Sequence, residues 1–185
     1  MDHLTRTYTN DDVRIAYVYC DYKDQVTQTA SNLIACLTRQ LIGRPEKLPH
    51  QLENLYKKLE PMRRRPDFGE LVCLMVPLCN ERERTFILID ALDECEAIQQ
   101  RRRFLPLLQS LSRGSCQLFI TSRPNNEDIC KIFTSASQIT IAAPDSDIER
   151  FVIEKMEERM EFVERLTPKL KSEIISVITA RASGM

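Results

Sequence analysis

Three carboxylates follow a short apolar run in the segment TFILIDALDEC, residues 85–95. Buried carboxylates are costly unless a cation or hydrogen bonds meet them. Asp90 comes directly after the apolar residues, and its carboxylate would be a suitable hard ligand for Mg²⁺. Asp93 or Glu94 could orient or deprotonate an attacking water. The alternative is that one of these two acids caps a helix that begins near Glu96.

A second polar group ends the apolar segment LFITSRP, where Thr121, Ser122 and Arg123 follow in succession. Because the carboxyl ends of parallel strands share one edge of a sheet, we expect Arg123 to approach a ligand held at Asp90. An arginine at that position can contact a terminal phosphate bidentately and sense its loss on hydrolysis. The alternative is a surface arginine that precedes the loop-forming Pro124.

Apolar runs that alternate with helical periodicity predict an α/β fold, with a parallel sheet flanked by helices. The predicted strands are 13–20, 85–90, 116–121 and 138–142, and the predicted helices are 25–41, 48–59, 68–78, 96–111 and 127–133. The run VRIAYVYC at 13–20 is typical of a strand buried on both faces. After Pro144 the pattern is helical only, so we predict an α/β core over 1–144 and the start of a helical subdomain over 145–185.

Composition argues against several classes of protein. The 185 residues carry a formal net charge of -1, so no overall field favours nucleic acid or an anionic membrane. Seven scattered cysteines without a C-x-x-C pair, and only two histidines, give no zinc-site spacing. No apolar stretch reaches the length of a bilayer span, and the N-terminus does not resemble a signal peptide. We therefore expect a cytoplasmic protein that binds neither nucleic acid nor membrane.

Two motifs together resemble a known family. FILIDALDEC followed by QLFITSRP is similar to the Walker B and sensor 1 strands of NACHT-type signal-transduction NTPases of the STAND class, above all the nephrocystin-3-like N-terminal domain of fungal NLR-like proteins. RIAYVYCDYKDQVTQTASNLIACLTRQLI resembles that family's second strand and following helix, and the likeness extends over roughly residues 1–160. It implies that Asp90 is the Mg²⁺-associated acid, that Asp93 or Glu94 orients water, and that Arg123 senses the γ-phosphate of ATP or GTP.

One motif of that family does not occur in this sequence. No G-x-x-x-x-G-K-[ST] segment is present among only four glycines, and such a loop supplies the main-chain donors for nucleotide phosphates. The resemblance implies that the chain begins partway through the helix after this Walker A loop. The expected fold is therefore an incomplete P-loop NTPase-type parallel sheet flanked by helices and followed by a short all-helical segment. By the same resemblance, the Walker A strand lies between the strands ending at Asp90 and Thr121. Its absence would leave a gap there or force those two strands to pair directly.

Three hypotheses about function remain open. The first is a fragment of a NACHT-type domain, a nucleotide-dependent oligomerisation switch, which cannot bind or hydrolyse ATP by itself. The second is a non-catalytic interaction module or pseudogene-like fragment that self-associates or pairs with full-length relatives through an exposed sheet edge. The third is a metal-dependent nuclease built on Asp90, Asp93 and Glu94. It is the weakest, because no lysine or histidine stands nearby and the charge balance does not favour nucleic acid.

Overall fold

The computed structural model describes residues 2–8, 13–43, 47–81, 83–95, 98–114, 116–124, 126–158 and 166–182. The chain divides into two compact units, Met1–Ala136 and Ser137–Met185. The described elements of the first unit are α1 (Asp2–Thr7), β1 (Val13–Tyr19), α2 (Ala30–Ile42), α3 (His50–Leu59), α4 (Phe68–Asn80), β2 (Arg84–Asp90), α5 (Ile98–Ser112), β3 (Cys116–Ile120) and α6 (Glu127–Ile132). Those of the second unit are α7 (Asp145–Glu157) and α8 (Pro168–Ala182).

The sheet of the first unit is parallel, with strand order β1-β2-β3. Residues Val13 to Tyr19 of β1 align with Arg84 to Asp90 of β2. Thr85 to Ile89 of β2 align in turn with Cys116 to Ile120 of β3. The predicted α/β fold with a parallel sheet flanked by helices is therefore confirmed. The gap that we considered between β2 and β3 is not present, since these two strands pair directly along the whole length of β3.

Three helices cover one face of the sheet, where α2 contacts β1, α4 contacts β2 and α5 contacts β3. The strand side chains that point toward them are almost fully buried, as in Ala16 and Ile87. The largest buried side chains of this layer are Phe104, Ile34, Leu37, Met75, Ile89, Leu105 and Leu108. This core fixes the strands and therefore the positions of the residues at their carboxyl ends.

The opposite face of the sheet is only partly covered. Tyr8, which follows α1, packs against Phe86 with ring centroids 5.0 Å apart, and Phe86 is buried. Tyr17 and Tyr19 point to the same face but are 36% and 62% exposed, and Phe119 is 52% exposed. The expectation that β1 is buried on both faces is therefore wrong. A run of apolar and aromatic residues does not separate the two cases, because a tyrosine ring can pack by its edge while its hydroxyl stays in water.

Local capping sets the helix bounds. The Thr29 side chain accepts a hydrogen bond from the Asn32 N–H, so α2 begins at Ala30, later than the predicted 25. Asp67 and Glu70 form a capping box at the start of α4. The side chain of Arg64, the main-chain N–H of Asp67 and the side chain of Lys58 bond to the Glu70 carboxylate and lower its pKa to about 2.

One prediction for the second unit, a strand over residues 138–142, is wrong. Residues 138–142, predicted as a strand, have no regular secondary structure, and Ile139 and Ile141 are 85% and 86% exposed. Their alternating pattern fits a strand, but a strand also needs a partner for its peptide groups, and that pairing is not encoded locally. The helical character predicted after Pro144 is present, since α7 begins at Asp145. None of the described helices combines the length and the apolar character that a membrane crossing requires.

Candidate functional site

Asp90 and Thr121 meet at the carboxyl edge of the sheet. Asp90 is the last residue of β2, and Thr121 comes directly after β3. The Thr121 hydroxyl donates a hydrogen bond of 2.5 Å to Oδ1 of Asp90 and accepts one of 2.8 Å from the main-chain N–H of Ala91. A short bond of this kind to an ionised acceptor is stronger than a neutral one. The hydroxyl therefore fixes both the carboxylate and the peptide that follows it.

The chain turns sharply after Asp90. Ala91 has φ of 50° and ψ of 48°, a left-handed conformation that is uncommon for a residue other than glycine. The next residue, Leu92, is fully buried and its N–H donates to the carbonyl of Thr121 at 2.9 Å. These contacts hold the single 3-10 turn Leu92–Glu94, which places both of its acids at the same edge of the sheet as Asp90.

Arg123 joins the two acids of this turn. Its Nε lies 3.6 Å from Oδ2 of Asp93, and its Nη2 lies 3.2 Å from Oε1 of Glu94. Its main-chain N–H also donates to Oδ1 of Asp93 at 3.2 Å. The side chain of Arg123 is 76% exposed, whereas those of Asp93 and Glu94 are 7% and 20% exposed. The guanidinium therefore covers two largely shielded carboxylates and remains accessible from solvent.

The loop after β1 completes this edge. The N–H of Tyr22 donates to Oε2 of Glu94 at 3.2 Å, and the N–H of Cys20 donates to the carbonyl of Asp90 at 3.0 Å. Both carboxylate oxygens of Glu94 thus accept hydrogen bonds, and neither donor belongs to the N-terminus of a helix. The helix that we predicted from Glu96 is described from Ile98 onward, and residues 96–97 lie outside the described residues.

The structure thus brings together all four residues that the sequence singled out, Asp90, Asp93, Glu94 and Arg123. Sequence reasoning did not identify Thr121 as the partner of Asp90, although a hydroxyl residue at the end of the neighbouring strand was the available signal. The amide of Tyr22 carried no signal, because any non-proline residue supplies the same N–H group.

The side chains of this edge suit a cation that is also bound by water and a ligand, but not a metal ion held by protein side chains alone. No hydrogen bond or ion pair within the described residues engages the second oxygen, Oδ2, of Asp90. The described residues also contain no group of three or more side chains that could together hold a metal ion. Mg²⁺ commonly takes one or two carboxylates and completes its shell with water and substrate phosphates. Asp90 fits that arrangement, whereas an all-protein metal site has no support here.

A buried thiol pair lies beside the site. Cys20 and Cys95 are both almost fully buried. The hydrogen bond with Cys95, then burial and the nearby carboxylates, raise the pKa of the Cys20 thiol above its ordinary value. A thiol held in its protonated form is a poor nucleophile. The Cys20 thiol is therefore not a candidate nucleophile of this edge.

The chain matches a known protein family. The family model described as Nephrocystin 3, N-terminal matches residues 1–123. That range includes β1, β2 and β3 and every residue of the site just described. No curated protein and no solved structure matches the chain.

Proposed function

Because the chain belongs to the nephrocystin 3 N-terminal family, we propose that it forms part of a NACHT-type P-loop NTPase domain of the STAND class. Such a domain is a nucleotide-dependent oligomerisation switch of cytoplasmic signalling proteins, as in the fungal NLR-like proteins. Seven free cysteines favour a reducing compartment such as the cytoplasm. The proposal rests on the single observation that Asp90 ends one parallel strand, and that Arg123, just after the neighbouring strand, pairs at the same sheet edge with the two acids that follow Asp90.

In this proposal each residue has a separate role. Asp90 is the Walker B acid, which would hold Mg²⁺ when ATP or GTP is bound, and the ion would neutralise phosphate charge. Thr121 holds the Asp90 carboxylate in place through its 2.5 Å hydrogen bond. Asp93 or Glu94 orients or deprotonates the attacking water. Arg123 contacts the terminal phosphate with its exposed guanidinium.

The ion pairs of Arg123 suggest how phosphate could be sensed. The guanidinium contacts Asp93 and Glu94, so a terminal phosphate that reached Arg123 would compete with these two acids. Binding of the phosphate would then free one carboxylate for a water molecule, and loss of the phosphate would restore the ion pair. The turn Leu92–Glu94 and the start of the loop after Arg123 would respond to the state of the nucleotide.

We further propose that these 185 residues bind nucleotide weakly and do not hydrolyse it by themselves. The sequence contains no G-x-x-x-x-G-K-[ST] loop to supply main-chain donors to the phosphates. About four charge-assisted hydrogen bonds at about 1.5–3 kcal/mol each amount to about 6–12 kcal/mol. A micromolar complex totals about 8 kcal/mol, so Asp90 and Arg123 alone should leave an affinity in the millimolar range or weaker.

Saturation-transfer NMR of ATP and of GTP with Mg²⁺ tests this proposal, because the method detects weak binding. The proteins are the wild type, Asp90→Asn, Arg123→Ala and the control Arg150→Ala, which removes an exposed arginine of α7 that pairs with Asp147. We expect a Mg²⁺-dependent signal that falls in the first two variants and is unchanged in the control. Equal signals in all four proteins would contradict the proposal.

A second candidate function is that of a non-catalytic interaction module that associates with copies of itself or with full-length relatives. It is favoured by the partly uncovered face of the sheet, where Tyr17, Tyr19 and Phe119 are exposed. The nuclease hypothesis has no comparable support, since the described residues hold no multi-ligand metal site.

A further inference from the structure

The two edges of the sheet differ in how their peptide groups are used. On the outer side of β1, the side-chain amide of Gln40 accepts from the N–H of Tyr17 at 3.1 Å and donates to its carbonyl at 2.7 Å. Just beyond the strand, Gln28 accepts from the N–H of Asp21 at 3.0 Å and donates to its carbonyl at 2.8 Å. Each glutamine thus imitates a paired strand residue, and Gln40 occupies the outward peptide groups in the middle of β1, which hinders the addition of a strand there.

No described residue protects the outward edge of β3 in this way. The N–H of Thr121 donates to Ile89, and its carbonyl accepts from Leu92, so the peptide groups of Thr121 face β2 and its extension. Because this orientation alternates along a strand, the N–H and C=O groups of Leu118 and Ile120 face away from β2. Within the described residues these outward groups have no hydrogen-bond partner.

The sequence of β3 also lacks the residues that usually block an edge. CQLFI contains no charge and no proline, whereas natural edges are commonly protected by lysine, proline or a bulge. Phe119 is the fourth of the five residues of β3, lies on the partly covered face of the sheet, and is 52% exposed. Its ring centroid is 6.4 Å from that of Phe86, so it extends an existing aromatic contact toward the free edge.

We propose that two copies of this chain associate through β3, antiparallel and across a two-fold axis at Phe119. In that register Leu118 of one copy faces Ile120 of the other, so each outward peptide group meets its complement. The two Phe119 residues face each other in the non-hydrogen-bonded position, where side chains approach most closely. The result is a continuous six-stranded sheet with no like charges opposite each other along β3.

This register is what selects a second copy as the partner. The five residues 117–121 are symmetric about Phe119 in this respect, because the peptide groups of the second and fourth, Leu118 and Ile120, point outward. Phe119 at the centre carries the exposed aromatic side chain. The inference gives the interaction-module candidate a surface and a partner. It rests on that candidate alone and does not require nucleotide binding.

Sedimentation velocity of the 185-residue chain over a range of concentrations tests the inference, with and without Mg²⁺ and ATP. We expect a monomer–dimer equilibrium without nucleotide. Phe119→Lys should weaken dimerisation about tenfold or more, because it places two positive charges opposite each other at the axis. The matched control is Tyr19→Lys, an exposed aromatic residue on the same face but on the protected β1 side, and it should leave the dimer unchanged.

Amide hydrogen exchange provides a readout of the backbone itself. The amides of Leu118 and Ile120 should become protected as the protein concentration rises, whereas that of Tyr17 should not change, because Gln40 already bonds to it. In addition, Phe119→Cys should give a disulfide-linked dimer on mild oxidation with diamide, identified by its 119–119 peptide.

Two results would overturn the inference. One is a protein that stays monomeric at all concentrations and shows no concentration-dependent protection at β3. The other is a dimer that Ile139→Lys weakens and Phe119→Lys does not, which would show that segment 138–142, rather than a second β3, occupies the edge. Loss of nucleotide binding with an intact dimer would count against the nucleotide proposal only.

Discussion

Replacing Thr121 with valine removes the hydroxyl that joins the two strand ends while keeping the shape of the side chain. Two hydrogen bonds are lost, one of 2.5 Å to the carboxylate of Asp90 and one of 2.8 Å from the N–H of Ala91. A hydrogen bond to a charged group contributes about 1.5–3 kcal/mol and a neutral one about 0.5–1.5 kcal/mol. Because Asp90 is exposed and can be rehydrated, we take the lower part of both ranges, which gives a loss of about 2 kcal/mol.

Urea denaturation followed by far-UV circular dichroism measures this loss. With a slope of about 2 kcal/mol per molar urea, the midpoint for Thr121→Val should fall by about 1 M. Thr121→Ser retains the hydroxyl and should recover most of the stability. Ser122→Ala is the neighbouring control, since the Ser122 hydroxyl makes only a 3.3 Å bond to the carbonyl of Arg123. If Thr121→Val unfolded at the same urea concentration as the Ser122→Ala control, the hydroxyl would not be the link between β2 and β3 that we describe.

Two further predictions concern backbone strain and pH. Ala91→Gly should raise the free energy of unfolding by about 0.5–1 kcal/mol, because it relieves the left-handed conformation but loses part of that gain to chain entropy. Ala35→Gly, inside α2, should instead lower the free energy of unfolding in the same urea measurement. Glu70→Gln should flatten the stability curve at low pH. The pKa of Glu70 is lowered in the folded chain to about 2, so its stabilising contribution is present above about pH 4.5 and is lost as pH falls toward 2. An unchanged pH slope in thermal unfolding of Glu70→Gln would contradict that assignment.

The carboxyl edge of the sheet could be predicted from the sequence because its signals are local. Asp90 and Arg123 each follow an apolar run, and parallel strands bring such ends together. The spacing of these residues in the sequence did not show that Arg123 would pair with both Asp93 and Glu94, because that pairing depends on the turn after Asp90. The left-handed backbone of Ala91 makes the turn, and nothing in an alanine indicates it.

Features that depend on distant pairing were less predictable. Direct pairing of β2 with β3 was one of two alternatives, since the sequence does not state which strands are neighbours. The strand predicted over 138–142 is absent because periodicity describes side chains and not the partner that a strand requires. The exposure of Tyr17 and Tyr19 shows the same limit, since a run of apolar and aromatic residues does not indicate whether a second layer covers them.

We propose above all that Asp90, Asp93, Glu94 and Arg123 form the Mg²⁺ and phosphate end of a nucleotide site. Substituting Mn²⁺ for Mg²⁺ with ATP, and recording amide NMR spectra of the chain, tests it most directly, since the paramagnetic ion broadens resonances near it. We predict selective broadening at Ala91, Leu92 and Thr121 that disappears in Asp90→Asn. Broadening spread over the acidic surface, or unchanged in Asp90→Asn, would contradict the claim.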